Sequence, residues 1–426
     1  MSSPARYDVV VVGGGPAGMA AAVSASTARL RVLLIDDNPG LGGQIWRGEE
    51  QKPTVPEAGF WRDQLQRSGV EVLRGARVFD VAEPGVLLAE SWSGLHAVRY
   101  WRLILATGAR ERFLPFPGWA LPNVMGAGGL QAMVKSGMPV EGKRVVVAGT
   151  GPLLLAVAAY LRAHGARVEA IAEQAPMQRL ARFSASLLAM PGKLVQAVSL
   201  WRQLSGVPYL TNCWPVAAHG AEQLERVSLR RGAATWDVSC DYLACGFHLI
   251  PNVELAALLG CEVRDGFVAV DSMQKTSLPD VYCAGEPTGI GGVELAVVEG
   301  RIAGYAAAGL SAEGRRLVAT RRRLRRFARA MERAFALRPE LREVASDTVL
   351  CRCEDVAVGR VRGHQSWREA KLQTRCGMGP CQGRICGGAA AFLFHWETES
   401  VRPPIFPATV AHLAAAPATA RDGVTT

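Results

Sequence analysis

The run from Tyr7 to Gly18, YDVVVVGGGPAG, limits the fold more than any other stretch of this 426-residue chain. Tyr7 to Val12 reads as a strand buried on both faces, and it passes directly into Gly13, Gly15 and Gly18 at G-x-G-x-x-G spacing, with Pro16 and Ala17 between the last two. A helix pattern (MAAAVSASTARL) and a second apolar strand (RVLLI) follow, and that strand ends in Asp36, 36 − 13 = 23 positions after the first glycine. In such a unit Gly13 permits a tight turn, Gly15 lets the backbone approach a pyrophosphate, Gly18 allows close packing of helix on strand, and the acid accepts from a ribose hydroxyl. The glycines alone carry little specificity. Strand, turn, helix, strand and acid in order mark a dinucleotide-binding fold.

A second pattern of the same kind lies mid-chain. Lys143 to Ala148 (KRVVVA) is a strand, Gly149-Thr150-Gly151-Pro152-Leu153-Leu154 is the turn, and RVEAIA leads to Glu173 at the ribose-acid position. Leu154 stands where the third glycine belongs, which predicts a helix pushed off its strand. Two readings stay open: a site for an adenine nucleotide (ATP, ADP or NAD, because the acid repels a 2′-phosphate), or a relict domain kept for packing. Two further apolar strands, Arg102 to Ala109 (RLILATGA) and Asp241 to Phe247 (DYLACGF), run into glycines. TSLPDVYCAGE ends in Gly285 and Glu286, and the GIGGVELAVVEG after it opens a helix whose N-terminus suits a phosphate or another polar edge.

The length predicts two or three domains. No charged n-region precedes an apolar stretch at the N-terminus, and the longest apolar run, Pro152 to Leu161, is well short of the roughly 20 residues of a membrane span. A soluble protein of a reducing compartment is expected. Much of the net charge of +10 lies in Arg315 to Arg333, where Leu317, Leu324, Ala328, Met331 and Phe335 recur at helical spacing and arginines cover the opposite side. A solvated or subunit-facing linker helix is the simplest reading; an anionic membrane surface is an alternative. Nucleic acid is disfavoured, since no base-stacking aromatic series accompanies the arginines.

Five of the ten cysteines, Cys351, Cys353, Cys376, Cys381 and Cys386, crowd into CRCED … RCGMGPCQGRIC. Without an oxidising compartment this fits a metal or iron–sulfur site better than a disulfide framework. Cys213, Cys261 and Cys283 read as small core side chains, and Cys240 and Cys245, an odd number apart in a strand, point to opposite faces. His96, His164, His219, His248 and His364 are isolated in the text, so no catalytic acid or base is assigned.

GGGPAG with Asp36, then GLGGQIWR, LATGARER, GTGP and VYCAGE resemble the two-dinucleotide-domain flavoprotein disulfide reductase superfamily over residues 1 to about 310. The resemblance implies an α/β fold with two Rossmann-like domains: a discontinuous FAD domain (1–115 and 250–310) and an inserted NAD-like domain (116–249). Gly42, Gly43 and Gln44 would then lie along the flavin, Thr107 and Gly108 near the cofactor, Gly285 and Glu286 at its ribityl and pyrophosphate side, and Val78 among the FAD contacts. The chain departs from the reductases where their chemistry lies, having no cysteine pair after Gly43 and no CxxC in the inserted domain.

After a basic linker helix (311–346), residues 347–400 resemble the small α-helical [2Fe–2S] module of bacterioferritin-associated ferredoxin, which implies Cys351, Cys353, Cys381 and Cys386 as ligands and leaves Cys376 aside. Zinc is the rival occupant. With its RPPIFP tail (401–426), the whole resembles the flavin-containing α subunits of bacterial multi-subunit amine dehydrogenases, of the D-hydroxyproline dehydrogenase, opine oxidase and hydrogen cyanide synthase type. That implies an electron-transferring subunit, cytoplasmic or peripheral on the inner membrane face, whose partner is an amine-oxidase-like FAD subunit carrying the substrate site, with room for a small ferredoxin-like subunit. A stand-alone NADH-dependent diaphorase and a cluster-binding regulatory or scaffold protein are the alternatives.

Overall fold

The computed structural model describes residues 4–50, 53–396 and 401–416. The chain forms two units, one from Met1–Arg110, Pro251–Ala328 and Ser400–Thr426, the other from Glu111–Ile250 and Arg329–Glu399.

The first unit begins with β1 (Ala5–Val12), α1 (Pro16–Ser26), β2 (Val32–Asp36), α2 (Pro56–Arg67), β3 (Glu71–Arg74), β4 (Arg77–Glu83), β5 (Val86–Ser91) and β6 (Gly94–Leu105). Strand order is β3-β2-β1-β6-β5-β4. β1 pairs in parallel with β2 and β6, and its valines are buried on both faces, as a central parallel strand requires. Gly13 turns the chain at φ +108°, and a Cβ there would lie 2.1 Å from the Ala106 carbonyl oxygen. A Cβ on Gly18 would lie 1.7 Å from the Gly13 oxygen, so no larger residue fits between α1 and β1.

The second unit is inserted next. Short strands β7 (Ala109–Glu111) and, at the far end, β16 (Leu249–Pro251) bracket β8 (Val124–Gly126), α3 (Ala127–Lys135), β9 (Arg144–Thr150), α4 (Pro152–Ala163), β10 (Arg167–Glu173), α5 (Met177–Leu187), α6 (Pro191–Gln203), β11 (Tyr209–Thr211), β12 (Cys213–His219), β13 (Arg226–Arg231), β14 (Ala234–Ser239) and β15 (Tyr242–Phe247). A parallel sheet, β11-β10-β9-β15-β8, carries the nucleotide-fold topology, and β12-β13-β14 form an antiparallel sheet beside it in sequence. Leu154 is fully buried; Gly246 on β15 faces it, and a Cβ there would already touch its Cδ2 at 3.4 Å. The expected opposite orientation of Cys240 and Cys245 is corrected: Cys240 lies between β14 and β15, where strand alternation does not apply, and both thiols pack in one core cluster with Cys213. Burial pushes Cys213 up to about 11 and Cys240 up to about 12. These are inert, neutral thiols.

The chain returns to the first unit through α7 (Glu254–Leu259), β17 (Val263–Arg264), β18 (Phe267–Val268), β19 (Val281–Cys283), which joins the large sheet beside β6, α8 (Val293–Ala307) and the start of α9 (Ser311–Ala334). The arginines of α9 do not all face water. Glu299 of α8 is fully buried and accepts from Arg321 Nε at 3.2 Å, Arg325 Nε at 2.8 Å, Thr288 Oγ1 at 2.9 Å and Gly285 N–H at 3.2 Å. A buried charge survives only when paired and fully bonded, and these four donors supply that.

The final residues of α9 belong to the second unit, as do β20 (Val349–Cys351), β21 (Val356–Ala357), α10 (Val358–Val361), α11 (Trp367–Thr374) and α12 (Cys386–Phe394). This cysteine-bearing segment is fastened to the inserted domain: Trp119 Nε1 donates to the Val349 carbonyl at 2.5 Å, and the Arg352 guanidinium lies 4.8 Å from the centre of the Trp119 ring. The tail, with α13 (Val410–Ala415), returns to the first unit, where Ile405 N–H donates to the Phe79 carbonyl at 2.8 Å.

Candidate functional site

In the first unit the glycine turn, the acid and the distal loops meet. Asp36 is 6% exposed; it accepts from the Gly14 N–H, from the Asn38 N–H at 2.8 Å and from Asn38 Nδ2 at 3.1 Å. Burial pushes its carboxyl up, and these donors oppose the rise. Gly42 N–H donates to the Gly14 carbonyl at 2.8 Å, which ties the Gly42-Gly43 loop to the turn. Gly15 differs from Gly13 and Gly18: a Cβ there would meet nothing nearer than Gly43 Cα at 3.8 Å. The protein itself does not demand a glycine at this place, so the space is a cradle for something brought close to the backbone. α1 starts beside it with no side chain capping its N-terminus and Pro16 in its first turn, which leaves backbone N–H groups for a phosphate.

The remaining FAD-type positions fall in the same unit. Thr107 Oγ1 donates to the Asn252 carbonyl at 2.6 Å, Asn252 Nδ2 donates to the Thr107 carbonyl at 2.9 Å, and Asn252 N–H donates to the Gly108 carbonyl at 3.0 Å. Asn252 escaped the sequence reading, although its place just after the last strand of the insertion was a signal. Glu286 accepts from the N–H groups of Gly291 and Gly292, both at 3.1 Å, and so ties down the glycine loop that leads into α8; burial pushes it up to about 7. Gln44 is exposed and accepts from Arg47 at 3.1 Å, and Val78 is buried in β4. The open cradle, uncapped helix start and strand-end acid fit the ADP half of FAD.

The second nucleotide motif has the same parts with a different surrounding. Glu173 is fully buried and accepts from Gly151 N–H at 2.7 Å, Thr150 Oγ1 at 2.7 Å and Ala175 N–H at 2.8 Å. Burial raises it to about 7 against these donors. The chain's own segment Phe335–Arg338 lies across the carboxyl ends of three central strands. The Phe335 carbonyl accepts from His248 Nε2 at 2.7 Å, Thr150 Oγ1 at 3.2 Å and Gln174 Nε2 at 3.4 Å; Arg338 N–H donates to Gln174 Oε1 at 3.0 Å. Phe335 also packs edge-on against Phe183, with ring centres 5.4 Å apart. His248 is thus a neutral donor to backbone, held so by burial, which lowers its pKa.

The cysteines converge from β20, the loop after α11 and the start of α12. The sulfurs of Cys351, Cys376 and Cys386 lie within 4.8 Å of one another, and Gly377 N–H points at Cys351 Sγ at 3.5 Å. Cys353 and Cys381 form a second, hydrogen-bonded pair nearer the surface. Gly379 makes room for Cys353, since a Cβ on it would lie 2.3 Å from Cys353 Cβ. Burial raises Cys381, but the N–H groups of Ile385, Gly383 and Arg384 and the bond to Cys353 outweigh it and bring the thiol below its ordinary value. Such a nest favours thiolate, the form that binds metal. Cys376, set aside in the sequence reading, lies with Cys351 and Cys386.

A model of the pyridine nucleotide-disulphide oxidoreductases matches residues 7–308. The chain belongs to that family. It is an FAD-dependent oxidoreductase. Among relatives, it is 34% identical to the HcnB subunit of hydrogen cyanide synthase from Pseudomonas aeruginosa, over 89% of this chain and 90% of that one. It is 31% identical to the A-type subunit of opine oxidase from Rhizobium meliloti, over 96% and 98%. The L-proline dehydrogenase structure from P. horikoshii shares the fold over 97% of this chain and 81% of that one, with TM-score 0.69 and 20% identity. No described helix is long and apolar enough to cross a membrane.

Within this oxidoreductase the state of Glu173 has a thermodynamic signature. Its folded pKa, about 7, stands above the unfolded value near 4.5, so between those pH values the folded chain holds a proton that the unfolded chain has released. Stability therefore falls as pH rises through that window and levels off above it. Glu173→Gln should flatten part of this slope, leaving the rest to Glu286, as read from urea unfolding midpoints at pH 5 and pH 8.

Proposed function

We propose that this chain is the electron-transferring subunit of a hetero-oligomeric dehydrogenase acting on an amine or amino acid, with the substrate oxidised on a partner flavoprotein. The observation that carries the reading is the coexistence, in one chain, of an open dinucleotide cradle at Gly15, a thiol cluster on the C-terminal segment, and a second nucleotide motif covered by Phe335–Arg338. The two relatives named as subunits, of hydrogen cyanide synthase and of opine oxidase, support it.

Gly13, Gly15, Gly18, Asp36, Gly42, Gly43, Thr107, Gly108, Gly285 and Glu286 would hold FAD, which supplies two-electron acceptance with release of electrons one at a time. Cys351, Cys353, Cys381 and Cys386 would hold a [2Fe–2S] cluster, a single-electron carrier. Cys376, fully buried beside Cys386, then acts as packing behind the ligands. The residues of this chain position these groups and exclude water; no side chain here is given a proton-transfer role toward an amine. Glu173, Gly149 and Gly151 serve the fold of the second unit, and the covered site disfavours the self-sufficient NADH diaphorase.

Anaerobically purified protein should contain iron and acid-labile sulfide at about two each per chain. Serine at Cys351, Cys353, Cys381 or Cys386 should remove both, and Cys376→Ser should retain them; an indispensable Cys376 with a dispensable Cys353 would reassign the ligands. Co-expression with a neighbouring amine-oxidase-like flavoprotein gene, followed by dye-linked assays with D-hydroxyproline, proline, opines, glycine and sarcosine, should give activity in the complex alone. Robust activity from the isolated chain would overturn the assignment.

A further inference from the structure

α5 and α6 form a helical pair in which no side chain of either helix is fully buried. Their inner sides are modest: Leu180 and Phe183 pack around Phe335, and Leu200 faces the core below α4. The outer side is apolar. Met177 (60% exposed), Leu188 (73%), Leu194 (37%), Val195 (69%), Val198 (43%) and Trp201 (54%) stand in solvent, the last four at i, i+1, i+4 and i+7 along α6. Large apolar side chains grouped so densely on a surface mark a docking face.

Charge identifies what docks. Between Glu173 and Glu222 the chain carries no acidic residue, while the exposed Arg182 and Arg202 stand on the same two helices as the apolar stripe. Exposed arginines set beside an exposed Trp and aliphatic side chains on helices that lie on the surface match the interface of an anionic bilayer. We propose that the α5–α6 pair is a membrane-docking element that lies in the headgroup layer of anionic phospholipid. It includes no residue of either nucleotide motif or of the cysteine cluster, and does not depend on the reading of the redox groups.

The test mixes the full chain with sedimentable vesicles of phosphatidylcholine, or of phosphatidylcholine with phosphatidylglycerol. Binding is expected on the anionic vesicles, with little on the neutral ones. At about 1 kcal/mol per cation, Arg182→Ser with Arg202→Ser should lower partitioning by roughly 30-fold. Val195→Ser with Val198→Ser should lower it by roughly tenfold. Arg322→Ser with Arg323→Ser removes the same charge from the exposed side of α9 and should change binding by less than about twofold. Circular dichroism and the unfolding midpoint confirm that each variant folds. Absence of vesicle binding, or equal loss in the α9 pair, overturns the proposal. So does slowed hydrogen exchange over 177–203 on assembly with a co-expressed partner chain without vesicle binding, which would make this face a protein interface.

Discussion

The carbonyl oxygen of Phe335 is the point on which the second unit depends. It takes donors from Thr150 at the end of β9, from Gln174 just after β10 and from His248 just after β15. In an open parallel sheet, the crevice beyond the carboxyl ends of the strands is where a nucleotide binds. Here the same place receives backbone, and Glu173 is left fully buried beneath it. One intramolecular contact in this way covers a nucleotide motif, while Trp119 fastens the cysteine segment that follows.

The contrast between Asp36 and Glu173 shows how far the sequence could be read. Both acids end the second strand of a glycine-turn unit, and both bond a turn N–H. Around Asp36 the local pattern located the acid, because the groups that bond it, the Gly14 N–H and Asn38, lie within or just after one strand–helix–strand unit. Around Glu173 it was not enough. The partner that changes its meaning is 185 residues away from Thr150 in the chain, and Phe335 carries no local mark beyond an apolar helical position. Arg321 and Arg325 escaped for the same reason: an arginine-rich helix reads as solvated until the buried Glu299 opposite it is known. The odd spacing of Cys240 and Cys245 misled because it assumed both lie on one strand.

The cysteines were legible as a group and less so as a ligand set. Their spacing brings five thiols to one end of the segment, but depth within it separates a buried trio from a surface pair. Burial opposes thiolate formation and backbone N–H groups favour it. That balance favours Cys381, and it is set by the turn from Gly379 to Ile385, a backbone geometry that composition does not reveal.

The central claim is that electrons do not enter this chain from a pyridine nucleotide. Stopped-flow mixing of the isolated, flavin-loaded protein with NADH and with NADPH under anaerobic conditions tests it most directly. The account predicts that the flavin absorbance stays unchanged on the timescale of turnover. Full bleaching of the wild-type flavin at rates of roughly 1 to 1,000 per second would contradict it.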